Sequence, residues 1–143
     1  MDFFKAIEIS AAGIGAEKAR VEAAAANLAN MNTSSAPGAQ GYRPVTAVIH
    51  SQPSAFSRVL GGTPQALMLA RAEIMPQSGP GVRTVYEPGH PDADSHGMVA
   101  YPAIDHTQEM MTVVTALRSY EANLAALQVT KTLASKALDI GAQ

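Results

Sequence analysis

The residues best suited to chemistry lie in one short loop, Gly89-His90-Pro91-Asp92-Ala93-Asp94-Ser95-His96-Gly97. Two imidazoles and two carboxylates within seven residues are the ligand types that a divalent metal ion accepts. These four side chains belong to His90, Asp92, Asp94 and His96. One hypothesis is therefore a small metal-dependent enzyme that uses this loop.

The spacing of the loop argues against a metal site. A calcium loop that begins at Asp92 needs a bidentate acid at its twelfth position, where this chain has Ala103. A zinc or iron site needs a further ligand and a rigid support, and a loop rich in glycine and proline supplies neither. We favour an Asx-turn loop in which Asp92 and Asp94 accept hydrogen bonds from backbone amides, with no metal, no other cofactor and no catalytic residue.

Composition narrows the classes of partner. The 143 residues carry a net charge of -2 without a cluster of Lys or Arg, which disfavours nucleic acid and anionic membranes as partners. No apolar run approaches the roughly 20 residues of a membrane span, so we predict no membrane insertion. Asp2 lies where a secretory signal needs positive charge. If the protein is exported, we expect a route without a cleavable signal peptide.

Proline divides the chain into three segments. All nine prolines lie from Pro37 to Pro102, and the two ends have none. Because proline costs about 3 kcal/mol inside a helix, this distribution predicts helical segments at 1–35 and 103–143 around a turn-rich middle segment at 36–102.

Both ends show apolar residues at a spacing of seven, as in a narrow helical seam. In the N-terminal segment the row is Ile7, Ile14, Val21 and Leu28. In the C-terminal segment one row is Met110, Leu117, Leu124 and Leu138, and a second is Val113, Tyr120, Leu127 and Ala134. We predict that the two helices pair as an antiparallel, coiled-coil-like hairpin and that these rows form its interface.

The C-terminal segment carries a further apolar stripe, here called the second face. Its members are Ala122, Ala126, Val129, Leu133, Ala137 and Ile140. At 100° per residue, Leu133 points about 180° away from Leu124, so one helical partner cannot cover both. We expect Val129, Leu133 and Ile140 to pack against other subunits, with the middle segment of the same chain as the alternative cover.

The middle segment reads as short strands, which makes the fold class α+β. Residues 42–50 and 82–87 are rich in β-branched side chains, whereas 67–75 is ambiguous because its alanines favour helix and its neighbours favour turns. We expect the N-terminal helix to end near Asn30, where an asparagine in the left-handed conformation would cap it.

Several motifs resemble those of bacterial flagellar rod and hook proteins. The sequence Ala26-Asn27-Leu28-Ala29-Asn30-Met31-Asn32-Thr33 resembles a signature near their start, and Arg118-Ser119-Tyr120-Glu121-Ala122-Asn123 resembles their closing helix. The loop around His90 resembles a loop found in the subunits of the proximal rod. The matching residues are Asn27, Asn30, Asn32, Thr33, His90, Pro91, Asp92, Asp94, Gly97, Tyr120 and Asn123.

The resemblance implies a structural role. A member of this family would pass through the flagellar type III export apparatus without signal cleavage and assemble in the periplasmic rod of the basal body, the drive shaft that transmits torque. Its implied partners are further copies of itself, other rod proteins, and the basal-body complex protein and ring at the rod base. Asn27, Asn30 and Asn123 would serve as hydrogen-bonding amides between helices or as ordinary helix-end polar groups. A secretion-associated helical adaptor is the remaining alternative.

Overall fold

A computed structural model describes residues 3–54, 67–79 and 81–141. The elements in chain order are α1 (Phe3–Asn30), β1 (Val45–Pro53), β2 (Met68–Pro76), β3 (Val82–Tyr86), β4 (Met98–Pro102) and α2 (His106–Gly141). Two long terminal helices therefore flank a small β-rich middle segment, and the predicted α+β class is confirmed. No helix in these three ranges is both long and apolar enough to cross a membrane.

The helix ends follow from local hydrogen bonds. Asp105 caps α2, because its Oδ1 accepts hydrogen bonds from the backbone N–H groups of Thr107 and Gln108 at 2.9 and 3.2 Å. At the end of α1, Asn30 Nδ2 donates to the Ala26 carbonyl at 2.8 Å. The predicted left-handed asparagine cap is wrong, since every residue with positive φ in the described ranges is a glycine. The chain instead leaves α1 through a turn in which Thr33 N–H donates to the Asn30 carbonyl.

The two helices pair antiparallel in one register. The Asn27 side chain reaches Glu109, and the Asn123 side chain lies directly over Gly13. Fourteen residues separate the two contact positions in each helix, so both contacts belong to one continuous pairing. Small side chains allow this close approach: the buried residues of the helices other than Asn27 are Ser10, Ala16, Ala23, Ala24 and Ala116.

This register leaves the end of α2 without a partner in α1. Phe3, where α1 begins, falls opposite residue 133 of α2, so residues 134–141 extend past α1 by about 12 Å. Leu138 and Ile140 in this overhang are 74% and 79% exposed. The last two turns of α2 therefore carry apolar side chains into solvent.

The strands form two antiparallel hairpins. β1 pairs with β2 from Val45↔Pro76 to Pro53↔Met68, and β3 pairs with β4 from Val82↔Pro102 to Tyr86↔Met98. The strands predicted at 42–50 and 82–87 are confirmed as β1 and β3, and the ambiguous stretch at 67–75 is strand β2.

The sequence did not indicate β4, although it is the most buried strand. Val99 is fully buried and Ala100 nearly so. Ala100 also exchanges two backbone hydrogen bonds of 2.9 Å with Ser35, so the segment after α1 lies along the free edge of β4. The order of β4 thus comes from tertiary packing more than from local propensity.

Helix α1 holds the β1–β2 hairpin as well as α2. Ala12 and Ala16 line a groove together with Leu69 and Ala72 of β2, whereas Gly13 faces Asn123 of α2. Neighbouring faces of α1 therefore carry the two other layers, and α1 is the central element of the fold.

One fully buried polar side chain joins these layers. Asn27 Oδ1 accepts hydrogen bonds from Val45 N–H and the Tyr42 hydroxyl, both at 2.9 Å. Its Nδ2 donates to the Val45 carbonyl at 2.8 Å and to Glu109 Oε1 at 2.9 Å. The side-chain amide thus pairs with both backbone groups of Val45 as a neighbouring strand would, and all four of its hydrogen-bonding positions are used.

The surroundings of this amide also affect Tyr42. Burial raises the pKa of the Tyr42 hydroxyl, and the negative charge of Glu109 raises it further. The phenol therefore stays protonated and able to donate to Asn27 at neutral pH.

Replacing Asn27 tests its role as the junction. We expect Asn27→Ala to lower the free energy of unfolding by about 2–4 kcal/mol, because Val45 and Glu109 lose buried partners. Asn30→Ala is the matched control, since its Nδ2 bonds only within its own helix, and it should change stability by less than about 1 kcal/mol. Denaturant unfolding of both variants measures the difference, and equal losses would contradict the junction role.

Two glycines of α1 should respond oppositely to alanine. A Cβ on Gly15 meets nothing within 4 Å, so Gly15→Ala should stabilise the protein by about 1 kcal/mol through helix propensity. A Cβ on Gly13 would lie 2.9 Å from the Asn123 amide atoms. Gly13→Ala should therefore lose that gain, because Asn123 must leave its hydrogen bond to the Ser119 carbonyl.

The double variant Gly13→Ala/Asn123→Ala removes the obstruction. Its stability should be higher than the value obtained by adding the effects of the two single substitutions. Thermal unfolding of the four proteins gives the coupling. Additive effects would show that Gly13 and Asn123 do not set the helix register.

Candidate functional site

The loop at residues 89–97 is held by its own hydrogen bonds. Asp94 Oδ1 accepts from the backbone N–H groups of His96 and Met98 at 2.8 and 2.9 Å, as predicted for an Asx turn. The hydrogen bond from Met98 N–H, together with that from His96, holds the pKa of Asp94 below its usual value. This carboxylate is therefore engaged by the backbone.

Asp92 has a different role from the predicted one. Its Oδ2 accepts a 2.6 Å hydrogen bond from the hydroxyl of Ser34, which lies 58 residues earlier in the chain. His90 Nδ1 accepts from Asp92 N–H at 3.1 Å and lies 3.8 Å from Asp92 Oδ2. The loop thus fastens the segment after α1 to the β3–β4 hairpin, and the Asx-turn prediction was wrong for Asp92.

Gly97 closes the loop. Its φ of 73° lies in the left-handed region, and a Cβ there would come within 2.9 Å of the Tyr86 ring. His96 and Pro91 are both exposed. Across residues 3–54, 67–79 and 81–141, no three His, Asp or Glu side chains converge on a common point that could hold a metal ion. The loop at residues 89–97 therefore has a structural role, and it is called the clasp loop below.

A polar cluster around Tyr101 of β4 lies next to the clasp loop. The Tyr101 hydroxyl donates to Glu87 Oε2 at 2.9 Å, and this hydrogen bond is the main reason that the pKa of Tyr101 is raised. The Arg83 guanidinium lies 5.5 Å from the centre of the Tyr101 ring, and the His90 ring meets the same ring edge-on. These contacts fix neighbouring elements to one another.

The side-chain amides of the motif asparagines make two kinds of contact. One amide connects different elements, and two form local hydrogen bonds. Asn27 connects the helices, as described above. Asn30 bonds to Ala26 and accepts a 3.3 Å hydrogen bond from the Thr33 hydroxyl. Asn123 donates to the Ser119 carbonyl one turn earlier while lying against Gly13. Asn32 is exposed beyond the end of α1.

One row of α2 lies nearest to α1. Its members Val113, Tyr120 and Leu127 are half-buried, and Ala116 beside them is fully buried. Ala134, the next residue of this row, is the first residue of the overhang and is half-buried as well. On α1 the predicted row of Ile7, Ile14, Val21 and Leu28 is likewise half-buried. Both rows are thus partly covered, and their role as the interface of the helix pair stays a prediction.

The remaining large apolar side chains of α2 are exposed on two sides of the helix. They are Met110, Met111, Val114, Leu117, Leu124, Val129, Leu133, Leu138 and Ile140. The row of Met110, Leu117, Leu124 and Leu138, predicted as part of the seam, lies on this uncovered surface together with the second face. The interface roles of the leucine row and of the second face stay predictions. Because both are exposed in the single chain, other molecules are the partners that would cover them.

Some important residues were not found from the sequence. Glu109 looks like an ordinary acid in the first turn of a helix, and Tyr42 like a strand residue, yet both bond to Asn27. Gly13 likewise gives no sign in the sequence that its missing Cβ makes room for Asn123. Local patterns could not reveal these contacts because each joins positions far apart in the chain.

Comparison with known proteins gives consistent matches. Residues 95–140 match the family model described as "Flagellar basal body rod FlgEFG protein C-terminal". The chain is 33% identical to the flagellar basal-body rod protein FlgC of Bacillus subtilis (strain 168), with 99% of each chain covered.

Two further relatives carry the same name. The FlgC of Aquifex aeolicus (strain VF5) is 35% identical over 92% of this chain and 91% of its own. The FlgC of Salmonella typhimurium (strain LT2) is 32% identical over 99% of both chains. The matched regions include both helices, the clasp loop and the hairpins between them, and the chain belongs to the family of flagellar basal-body rod proteins FlgC.

Proposed function

We propose that this protein is a structural subunit of the bacterial flagellar basal-body rod. The observation that carries the proposal is the uncovered surface of α2, where nine large apolar side chains remain exposed on two sides of one helix. Burial of a fully exposed side chain of this size is worth about 1.5–3 kcal/mol. Because these nine are 37–79% exposed, assembly offers part of that amount for each of them. The similarity to rod proteins over the whole chain supports the same role.

The mechanism follows from helix packing. The α1–α2 pair is held within each subunit by Asn27 and by small buried residues, and the outer rows of α2 then pack against neighbouring subunits. Many staggered apolar contacts of this kind resist shear, which is what a shaft that transmits torque requires. A structural role of this kind requires no reactive group, and we infer that the protein is not an enzyme.

The partners and location follow at two levels of detail. At the coarser level, the protein assembles with other rod components in the flagellar basal body. At the finer level, we propose contacts with further copies of itself and with the basal-body complex protein and ring at the rod base. We also propose a periplasmic position reached through the flagellar type III export apparatus without signal cleavage, which agrees with the family resemblance.

Charge placed on the outer surface of α2 should block assembly. Leu124→Asp and Leu133→Asp leave the buried junction untouched, so both monomers should keep normal helicity, while each buried carboxylate at an interface is strongly unfavourable. We expect loss of swimming and of completed rods in a strain that expresses either variant as its only copy.

Thr132→Asp is the control, because it adds the same charge at an exposed polar position of α2 between the two apolar surfaces, about 80° from Leu124 and 100° from Leu133. It should swim like the parent. If both leucine variants formed normal rods, the outer surface of α2 would not be required for assembly. Purification of the parent chain in one small, closed complex with an export protein would instead favour the helical adaptor.

The overhang should become ordered on assembly. In dilute monomer, backbone amides of residues 134–141 should exchange rapidly, because α1 does not extend alongside them. Those near Ala116, which is fully buried, should exchange more slowly. Hydrogen exchange on isolated basal bodies should show residues 134–141 protected, and equal protection in the free and assembled protein would contradict an assembly role for this segment.

A further inference from the structure

Two neighbouring contacts hold the segment after α1 against the β3–β4 hairpin. Asp92 Oδ2 in the clasp loop accepts the 2.6 Å hydrogen bond from the Ser34 hydroxyl. The next residue, Ser35, exchanges two backbone hydrogen bonds of 2.9 Å with Ala100 of β4. The side-chain contact depends on a single carboxylate oxygen, so any group that draws this oxygen away from Ser34 loosens the attachment.

His90 lies beside that oxygen in its uncharged form. Its Nδ1 accepts a 3.1 Å hydrogen bond from Asp92 N–H, so Nδ1 carries no proton and the ring is the neutral tautomer with its proton on Nε2. The same Nδ1 is 3.8 Å from Asp92 Oδ2, which is too long for a hydrogen bond but within the range of an ion pair. The neutral ring therefore supports the loop without competing for the carboxylate.

Protonation of the ring reverses this arrangement. An imidazolium carries a hydrogen on both nitrogens, so Nδ1 can no longer accept from Asp92 N–H, and two N–H groups face each other. The Asp92 Oδ2 atom, 3.8 Å away, is the anionic acceptor beside the ring. A hydrogen bond between two ions is about 2.8 Å long and stronger than one from a neutral hydroxyl, so the two atoms must approach by about 1 Å.

The surroundings favour movement of the carboxylate over movement of the ring. The His90 ring meets the Tyr101 ring edge-on, and the His90 side chain is 26% exposed, whereas that of Asp92 is 42% exposed. Two further charged groups lie at Tyr101, the Glu87 carboxylate on its hydroxyl and the Arg83 guanidinium over its ring. Their charges are opposite, so Asp92 is the ionic partner left for a protonated His90.

We propose that His90 is an acid-sensitive switch in the clasp loop: when its ring gains a proton, the Asp92 carboxylate turns from Ser34 to the imidazolium and the segment after α1 is released from β4. Ser34 is uncharged, so the carboxylate exchanges a neutral partner for a charged one. Histidine is the side chain that changes charge between about pH 5 and 8, so the attachment is complete at the upper end of this range and loosened at the lower end. This inference concerns the single chain and does not depend on the rod function.

Amide hydrogen exchange of Ser35 and Ala100 tests the switch, because both amides are hydrogen-bonded while the segment lies along β4. NMR on the full chain would give protection factors at about pH 7.5 and about pH 5, each relative to an unstructured peptide at the same pH. We expect both protection factors to fall on the order of tenfold at the lower pH, as expected for loss of one hydrogen bond to a charged group. Amides around the buried Ala116 should keep their protection.

His90→Asn is the first variant, because the asparagine Oδ1 offers an acceptor in place of Nδ1 and cannot gain a charge. Protection of Ser35 and Ala100 should then be equal at the two pH values. His96→Asn is the matched control, since His96 is an exposed histidine of the same loop, and it should respond to pH like the parent.

Asp92→Asn is the second variant and does not depend on how well His90→Asn holds the loop. Its amide oxygen still accepts from Ser34 but attracts an imidazolium much less than a carboxylate does, so the response to pH should be much smaller than in the parent.

Three results would overturn the switch. Equal or higher protection of Ser35 and Ala100 in the parent at the lower pH would show that the imidazolium does not open the attachment. A parent-like response in both His90→Asn and Asp92→Asn would place the titrating group elsewhere. An equal loss of protection around Ala116 would show that acid loosens the whole fold.

Discussion

Helix α1, helix α2 and the β1–β2 hairpin meet at the side chain of Asn27. The amide is buried and satisfied by four hydrogen bonds, two to the backbone of Val45, one from Tyr42 and one to Glu109. Because an unsatisfied buried amide is costly, the segment that leads into β1, the start of β1 and the first turn of α2 must all be in place together. Among residues 3–54, 67–79 and 81–141 the buried apolar side chains are mainly alanines, so this short polar side chain takes over part of the role of a large apolar core.

The small buried residues explain why apolar side chains remain for other molecules. Alanine, serine and glycine at the α1–α2 contact bring the helices close together, and the leucines and methionines of α2 then lie on outer surfaces. In an independently stable hairpin of helices, those larger residues would occupy the inner seam. Here the inner seam fixes geometry through Asn27 and Gly13, while the outer rows hold most of the apolar surface available for packing.

Residue patterns alone predicted the helical ends, the β-rich middle and two of the four strands, because these depend on proline distribution and on β-branched runs. The motifs at Asn27 and at the clasp loop were also found from the sequence. What Asn27 does was not, because the identity of its partners depends on tertiary contacts across up to 82 positions. Strand β4 was missed for the same reason, because its Ala100 pairs with the distant Ser35. The exposure of the leucine row of α2 was also missed, because heptad spacing does not reveal which side of the helix meets α1.

The long sequence separation between Asn27 and Glu109 has a kinetic consequence. A chain that emerges with its N-terminus first can present α1 and the hairpins early, but the amide finds its carboxylate only when the last quarter of the polypeptide arrives. Local contacts form quickly and distant ones slowly, so closure of the helix pair is expected late in folding. Until α2 is complete, Asn27 lacks the partner that joins the two helices, so the last helix to form is the one that closes the fold.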